Sequence, residues 1–178
     1  MSHSIRTLVL LLLWSAPSSG AETPSEYQVK AAFLYKFARF VEWPTASFAD
    51  PTSPLIICIL GEDPFGPMLD QAVAGKLVQG RPLQILRLAR LDQPPPCHIL
   101  YLSYSSGPEL PRALALLGNH RVLTVGDTEG FTRAGGMIRL LVNEQNIFFE
   151  INAEAAQRAG LSISSQLLKL ARARTGGR

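Results

Sequence analysis

The sequence contains few side chains that could act as catalytic groups, and their spacing matches no established catalytic motif. Beyond the N-terminal apolar segment, the only histidines are His98 and His120. His98 follows a cysteine within an apolar segment, which indicates a histidine of the core or of a sheet edge, and His120 lies in a polar loop that needs no catalytic role. Since no GxSxG, HExxH or Walker motif is present, we expect a protein that is not an enzyme and binds no cofactor.

The two cysteines, Cys58 and Cys97, are the second chemical feature of the sequence. Both lie in apolar, β-like segments, so one interpretation is a disulfide that joins two strands, and the other is a pair of buried free thiols. A bond across this interval would stabilise the fold by about 4 kcal/mol in the chain-entropy model. A metal site is not expected, because His98 is the only nearby histidine and the sequence has no CxxC pair.

Two acidic turns follow predicted strands and define a candidate ligand crevice. Asp63 comes after the first strand and Asp127 after the fourth. In an open parallel sheet, ligands bind outside the carboxyl ends of the strands, so these carboxylates could border one crevice for a metal or a cationic group. The alternative is that both are turn or cap residues.

The elements that must position these residues alternate between strands and helices. The spacing of apolar residues, together with turn residues and helix caps, predicts strands over 55–60, 81–88, 97–102, 122–125, 137–142 and 146–151. They predict helices over 24–41, from the 61–66 turn to about residue 73, over 108–117 and 153–159, and from 164 or 165 to about 173. This order predicts an α/β protein with a single three-layer α/β/α domain, a mainly parallel sheet and an antiparallel C-terminal hairpin at the edge.

The ends of the chain set its location and its organisation. Residues 1–21 have a basic start, a short apolar centre and small residues before a cut after Ala21, which is typical of a secretory signal peptide; an uncleaved membrane anchor is the alternative. Residues 22–178 then form one domain. Nucleic-acid binding is not expected, because the net charge is only +3 and three of the cations, Arg172, Arg174 and Arg178, belong to the tail.

The C-terminal segment has more apolar residues than one short helix can bury on a single face. They include Leu161, Ile163, Leu167 and Leu168. Some of them are expected at the surface, where an apolar patch marks a partner site, and the alternative is that they close the core.

Three segments in order resemble the YfiR family of exported bacterial proteins. They are 30–44 (KAAFLYKFARFVEWP), 57–66 (ICILGEDPFG) and the C-terminal stretch that begins with FFEIN at 148. The interval from Cys58 to Cys97 is also similar, and the resemblance covers essentially all of residues 22–178.

The resemblance implies a periplasmic repressor that binds the periplasmic sensor domain of an inner-membrane diguanylate cyclase, lowering cyclic di-GMP and restraining biofilm formation. It also implies a homodimer, a structural disulfide between Cys58 and Cys97, and sequestration by an outer-membrane OmpA-like lipoprotein. The second cysteine pair of some family members is missing here, which removes the basis for redox control through that pair.

The same resemblance implies two partner surfaces. The cyclase-facing one would contain Leu161, Ile163, Leu167 and Leu168, and a second one, for the lipoprotein or for dimerisation, would contain Phe40, Glu42 and Trp43. A functional alternative from the residues alone is a periplasmic small-molecule sensor that uses the crevice near Asp63 and Asp127 and signals to a histidine kinase or a transporter.

Overall fold

The computed structural model describes residues 25–103, 108–143 and 146–175. The predicted signal peptide therefore lies outside the described residues. The helices are α1 (Glu26–Phe40), α2 (Pro67–Val73), α3 (Leu110–Leu117), α4 (Ala153–Arg158) and α5 (Ser165–Thr175). The strands are β1 (Val41–Glu42), β2 (Leu55–Leu60), β3 (Leu77–Val78), β4 (Arg81–Leu88), β5 (Ile99–Leu102), β6 (Leu123–Gly126), β7 (Ile138–Asn143), β8 (Asn146–Ile151) and β9 (Ser162–Ile163).

Seven strands form one curled sheet in the order β3-β4-β2-β5-β6-β7-β8. The central pairs from β4 to β7 are parallel, and the pairs β3–β4 and β7–β8 at the two edges are antiparallel. The predicted α/β class, with a mainly parallel sheet and an antiparallel C-terminal hairpin, is confirmed. The sequence did not predict the short β3, nor the separate antiparallel pair of β1 and β9.

Side chains alternate between two cores on opposite faces of the sheet, as the strand period requires. On β2, Ile57 and Ile59 enter the larger core, which α1, α2, α4 and α5 cover. Cys58 and Leu60 point the other way, into a smaller core beneath α3. The result is the three layers that the alternation of strands and helices predicted.

Helix α1 begins with a capping box, and its first residue, Glu26, lies two residues after the predicted start. The hydroxyl of Ser25 accepts a hydrogen bond from the backbone N–H of Gln28, whose side-chain oxygen accepts one from the N–H of Ser25. The helix ends where Val41 enters β1. Its apolar face is fully buried through Leu34 and Phe37.

The glycine-rich loop after β6 is explained by a buried aromatic ring. Phe131 is fully buried, and a Cβ on either Gly126 or Gly136 would lie within 2.6 Å of its ring. These two glycines are therefore needed for close packing, and a dinucleotide-binding loop is not required to account for them.

Candidate functional site

The antiparallel pair of β1 and β9 joins the two partner surfaces that were predicted separately from the sequence. Val41 lies opposite Ile163 and Glu42 opposite Ser162. The backbone N–H of Ser164 then donates to the carbonyl of Phe40 at 2.9 Å. The end of the aromatic first helix is thus hydrogen-bonded to the segment that leads into α5.

The predicted partner-binding residues divide into buried and accessible ones. Leu161 and Leu167 are 5% and 2% exposed and belong to the larger core, and Trp43 is 6% exposed. A partner cannot reach these three side chains while α5 and β9 stay in place, because the core already surrounds them. Their role in binding remains a prediction. We define the β1–β9 surface by the accessible members of the predicted sets, which are Phe40, Glu42, Ile163 and Leu168.

Trp43 connects the β1–β9 surface to the start of β5. Its indole Nε1–H donates to the carbonyl of His98 at 3.2 Å. The ring of His98 is held on both sides, because Nδ1 accepts from the N–H of Ile56 at 3.0 Å and Nε2 lies 3.1 Å from the carbonyl of Ser47. These partners fix the neutral tautomer with hydrogen on Nε2. Burial is the main cause that lowers the pKa of His98, and the charge of Arg81 lowers it further.

The histidine ring also organises the segment that follows β1. Phe48 stacks on it with ring centroids 4.4 Å apart, and the guanidinium of Arg81 lies 3.7 Å from the centroid of the Phe48 ring. Arg81 in turn donates to the carbonyls of Asp50 and Ser53. His98 is therefore a structural residue that holds a loop, as its apolar surroundings in the sequence indicated.

Cys58 and Cys97 lie side by side as two buried free thiols. Burial raises the pKa of Cys97, and hydrogen bonding to the Cys58 thiol adds to the increase. Both cysteines belong to the smaller core, Cys58 on the second strand and Cys97 two residues before the neighbouring one. The disulfide is not formed in the structure, but the folding of the sheet alone brings the two residues together.

Asp63 and Asp127 lie at the same edge of the sheet, and each carboxylate is neutralised by a cation. Asp63 accepts from the Nε of Arg87 at 2.7 Å, and Asp127 accepts from the Nζ of Lys30 at 2.6 Å. The turns end strands that flank β5. The ring of Tyr101 on β5, whose hydroxyl contacts Asp127, packs against Phe65, two residues after Asp63. A ligand would have to displace a cation from either carboxylate, and the predicted ligand crevice remains a prediction.

The buried ion pair of Lys30 was not predicted from the sequence. Its side chain is 4% exposed, and besides Asp127 it contacts Glu26, one helical turn earlier, at 2.6 Å. Burial by itself would lower the pKa of Lys30, but the hydrogen bonds and charges of Asp127 and Glu26 outweigh it and raise the pKa. The hydroxyl of Tyr101 donates to the same Asp127 oxygen at 2.8 Å. The available signal was a lysine on the apolar face of α1, four residues after a glutamate.

A cavity lies at the opposite, amino-terminal edge of the parallel strands. It has a volume of about 720 Å³, and its walls include Phe48, Ile56, Pro96, His98 and Arg121. Neither Asp63 nor Asp127 lines it. In the described part of the chain, no three His, Cys, Asp or Glu side chains are grouped so that they could hold a metal ion.

The fold and these contacts define a class: an α/β domain whose first helix and C-terminal helix are joined at one surface by a two-stranded sheet. The family model DUF4154, described as YfiR/HmsC-like, matches residues 27–172. The chain therefore belongs to the YfiR/HmsC-like family.

Family membership establishes the general role of the protein. The family is periplasmic, regulatory and non-catalytic, and it supports a function in the regulation of cyclic di-GMP signalling. None of the helices in the described ranges is long and apolar enough to cross a membrane.

Proposed function

We propose that this protein binds the periplasmic sensor domain of an inner-membrane diguanylate cyclase and holds the enzyme inactive. The result would be less cyclic di-GMP and less biofilm. The observation that carries the proposal is the match to the family model over residues 27–172. Residues 1–21 are the cleaved signal peptide that brings the chain to the periplasm.

The β1–β9 surface is the proposed contact with the cyclase. Phe40, Ile163 and Leu168 are half-buried, and Glu42 beside them is exposed. Apolar side chains with a charged neighbour at the rim are typical of a protein interface. The surface comes from both ends of the domain, so it exists only when α5 is docked.

Repression through this surface needs no reacting group. A repressor that binds the inactive cyclase about 100-fold better than the active one shifts the equilibrium by about 2.7 kcal/mol. That bias comes entirely from differential contacts in the two states of the cyclase.

The test compares single aspartate substitutions on one helix in a strain that lacks the chromosomal gene. Leu168→Asp should leave cyclic di-GMP at the high level of the deletion strain, whereas the unchanged gene should restore the low level. Leu170→Asp is the matched control, because Leu170 is 47% exposed on the same helix and lies outside the proposed surface. Both variants must reach the periplasm in folded form. Full repression by Leu168→Asp would remove this residue from the interface.

Three further features complete the proposal. Cys58 and Cys97, already adjacent, form a structural disulfide in the oxidising periplasm. The protein is a homodimer, and an outer-membrane OmpA-like lipoprotein competes for it and releases the cyclase. Sedimentation of the purified protein tests the dimer, and co-purification with the lipoprotein after chemical cross-linking in cells tests the competitor. A strictly monomeric protein, or repression that is insensitive to the lipoprotein, would contradict these features.

A further inference from the structure

An unpaired basic cluster lies on the outer side of α1. Lys76, after α2, places its Nζ 4.5 Å from the ring centroid of Tyr35, and the guanidinium of Arg39 lies 5.9 Å from the same ring. Lys36 lies three residues before Arg39 on the helix, and its Nζ lies 4.7 Å from the ring centroid of Phe33. We call these residues, with Leu77, the Tyr35 patch.

The cations of the Tyr35 patch have no carboxylate partners among the described residues. Some other cations of the fold, such as Lys30 and Arg87, pair with carboxylates, whereas Arg121, Arg133 and Lys169 form no ion pair with a described carboxylate either. The local sequence explains the difference, since no Asp or Glu occurs in 27–41 or in 71–91. Like charges three residues apart on a helix repel each other, so folding alone does not favour this arrangement.

An exposed aliphatic side chain extends the patch. Leu77 is 60% exposed, the most exposed of the large apolar residues in the described chain. It lies in the two-residue strand β3, next to Lys76, and Gly75 and Gly80 take positive φ on either side. The chain therefore presents an exposed leucine between two turns, directly after Lys76.

We propose that the Tyr35 patch binds the surface of an anionic phospholipid bilayer. Cations attract the headgroups, while a tyrosine and a leucine enter the shallow apolar zone beneath them, which is the usual composition of a peripheral membrane site. An acidic protein would be attracted by the same charges, but it would not account for an exposed leucine between two turns. This site would hold the protein at the membrane that contains its proposed target.

The binding test uses protein recovered from the periplasm and flotation with vesicles. Vesicles of phosphatidylcholine with about 30% phosphatidylglycerol should carry the protein upward, and pure phosphatidylcholine vesicles should not. The triple variant Lys36→Gln, Arg39→Gln and Lys76→Gln should bind about 100-fold more weakly, because each cation near the surface contributes about fivefold. Leu77→Ser should weaken binding by about fivefold while leaving the charge unchanged.

A second triple variant separates the patch from net charge. Arg121→Gln, Arg133→Gln and Lys169→Gln remove three other exposed cations, so its net charge equals that of the first triple variant. The proposal requires that this control binds like the unchanged protein. Equal losses in the two triple variants would show nonspecific attraction and overturn the proposal.

Two other results would also overturn it. One is loss of flotation in Arg172→Gln with Arg174→Gln, which would assign the binding to the tail. The other is that the unchanged protein does not float with the anionic vesicles but binds an acidic protein domain, and that the patch variant loses this protein binding. The measurement contains no cyclase, so its outcome is independent of the proposed repression.

Discussion

Replacing Lys30 with methionine should destabilise the fold more than any other single loss of charge on α1. The substitution keeps an apolar stem of similar length and removes only the ammonium group. It would leave Asp127 nearly buried, at 11% exposure, with a single hydrogen bond from the hydroxyl of Tyr101 on Oδ2. The other oxygen, Oδ1, is buried and already has no hydrogen-bond partner.

The expected loss is about 3 kcal/mol in the free energy of unfolding. Removing one member of a buried ion pair costs about 3–5 kcal/mol, because the remaining charge is left without compensation. The lower end applies here, since Asp127 keeps its bond to Tyr101 and some contact with solvent. Glu26 adds little, because its side chain is 49% exposed and water screens that pair.

Urea denaturation at neutral pH, followed by circular dichroism, measures this loss. Lys36→Met is the matched control on the exposed side of the same helix, and it should change stability by no more than about 0.5 kcal/mol. The double variant Lys30→Met with Asp127→Asn should recover about 2 kcal/mol relative to the sum of the single changes, because the stranded charge is gone. A cost below about 1 kcal/mol for Lys30→Met, or strict additivity, would refute the reasoning.

The pH dependence gives a second measurement on the same pair. The folded state raises the pKa of Lys30 above its usual 10.5. The stabilisation is therefore complete below about pH 10.5 and is lost as the pH rises through the folded-state pKa. The difference in unfolding free energy between the unchanged protein and Lys30→Met should become smaller at alkaline pH. A difference that stays constant up to the highest pH at which the protein folds would contradict the stabilising role of the charged Lys30.

Three further predictions concern the sheet and its loops. The folded state lowers the pKa of His98 from 6.5, so the contribution of His98 to stability is present above pH 6.5 and falls as the pH decreases below it. In urea denaturation, the unfolding free energy of His98→Gln should therefore depend less on pH in this range than that of the unchanged protein. Formation of the Cys58–Cys97 bond should add about 4 kcal/mol, measured as the difference in unfolding free energy between oxidised and reduced protein, and an equal stability of the two forms would argue against an unstrained bond. Gly136→Ala should cost about 1–3 kcal/mol, because its Cβ would lie 2.2 Å from the Phe131 ring, and thermal unfolding measures it.

The long elements were predictable because their side chains follow the period of their backbone. Strands β2, β4 and β8 have the predicted bounds, and β6 is shifted by one residue. The pair of β1 and β9 could not be predicted in this way, because two residues have no measurable period. It joins segments that are far apart in the chain, with Ile163 opposite Val41.

The candidate site was predictable as a set of segments and less so as a set of side chains. Sequence spacing placed an excess of apolar residues near the C-terminus, but it could not tell which of them enter the core. Leu167 and Leu168 are neighbours in the sequence, yet only the first is enclosed. The ion pair of Lys30 was not predicted for a related reason. Its partner Asp127 is far away in the chain, and the sequence does not show which charged side chains come into contact.

The burial of Leu167 decides how functional data on this family member must be interpreted. A charged substitution there would place an unpaired charge in the larger core, which costs several kcal/mol and would undock α5. Loss of the proposed repression would then report the undocking of α5, because Leu167 belongs to the larger core. The same substitution at half-exposed Leu168 leaves the core intact. Only the second variant therefore separates contact with a partner from folding, and a double substitution of both leucines would confuse the two.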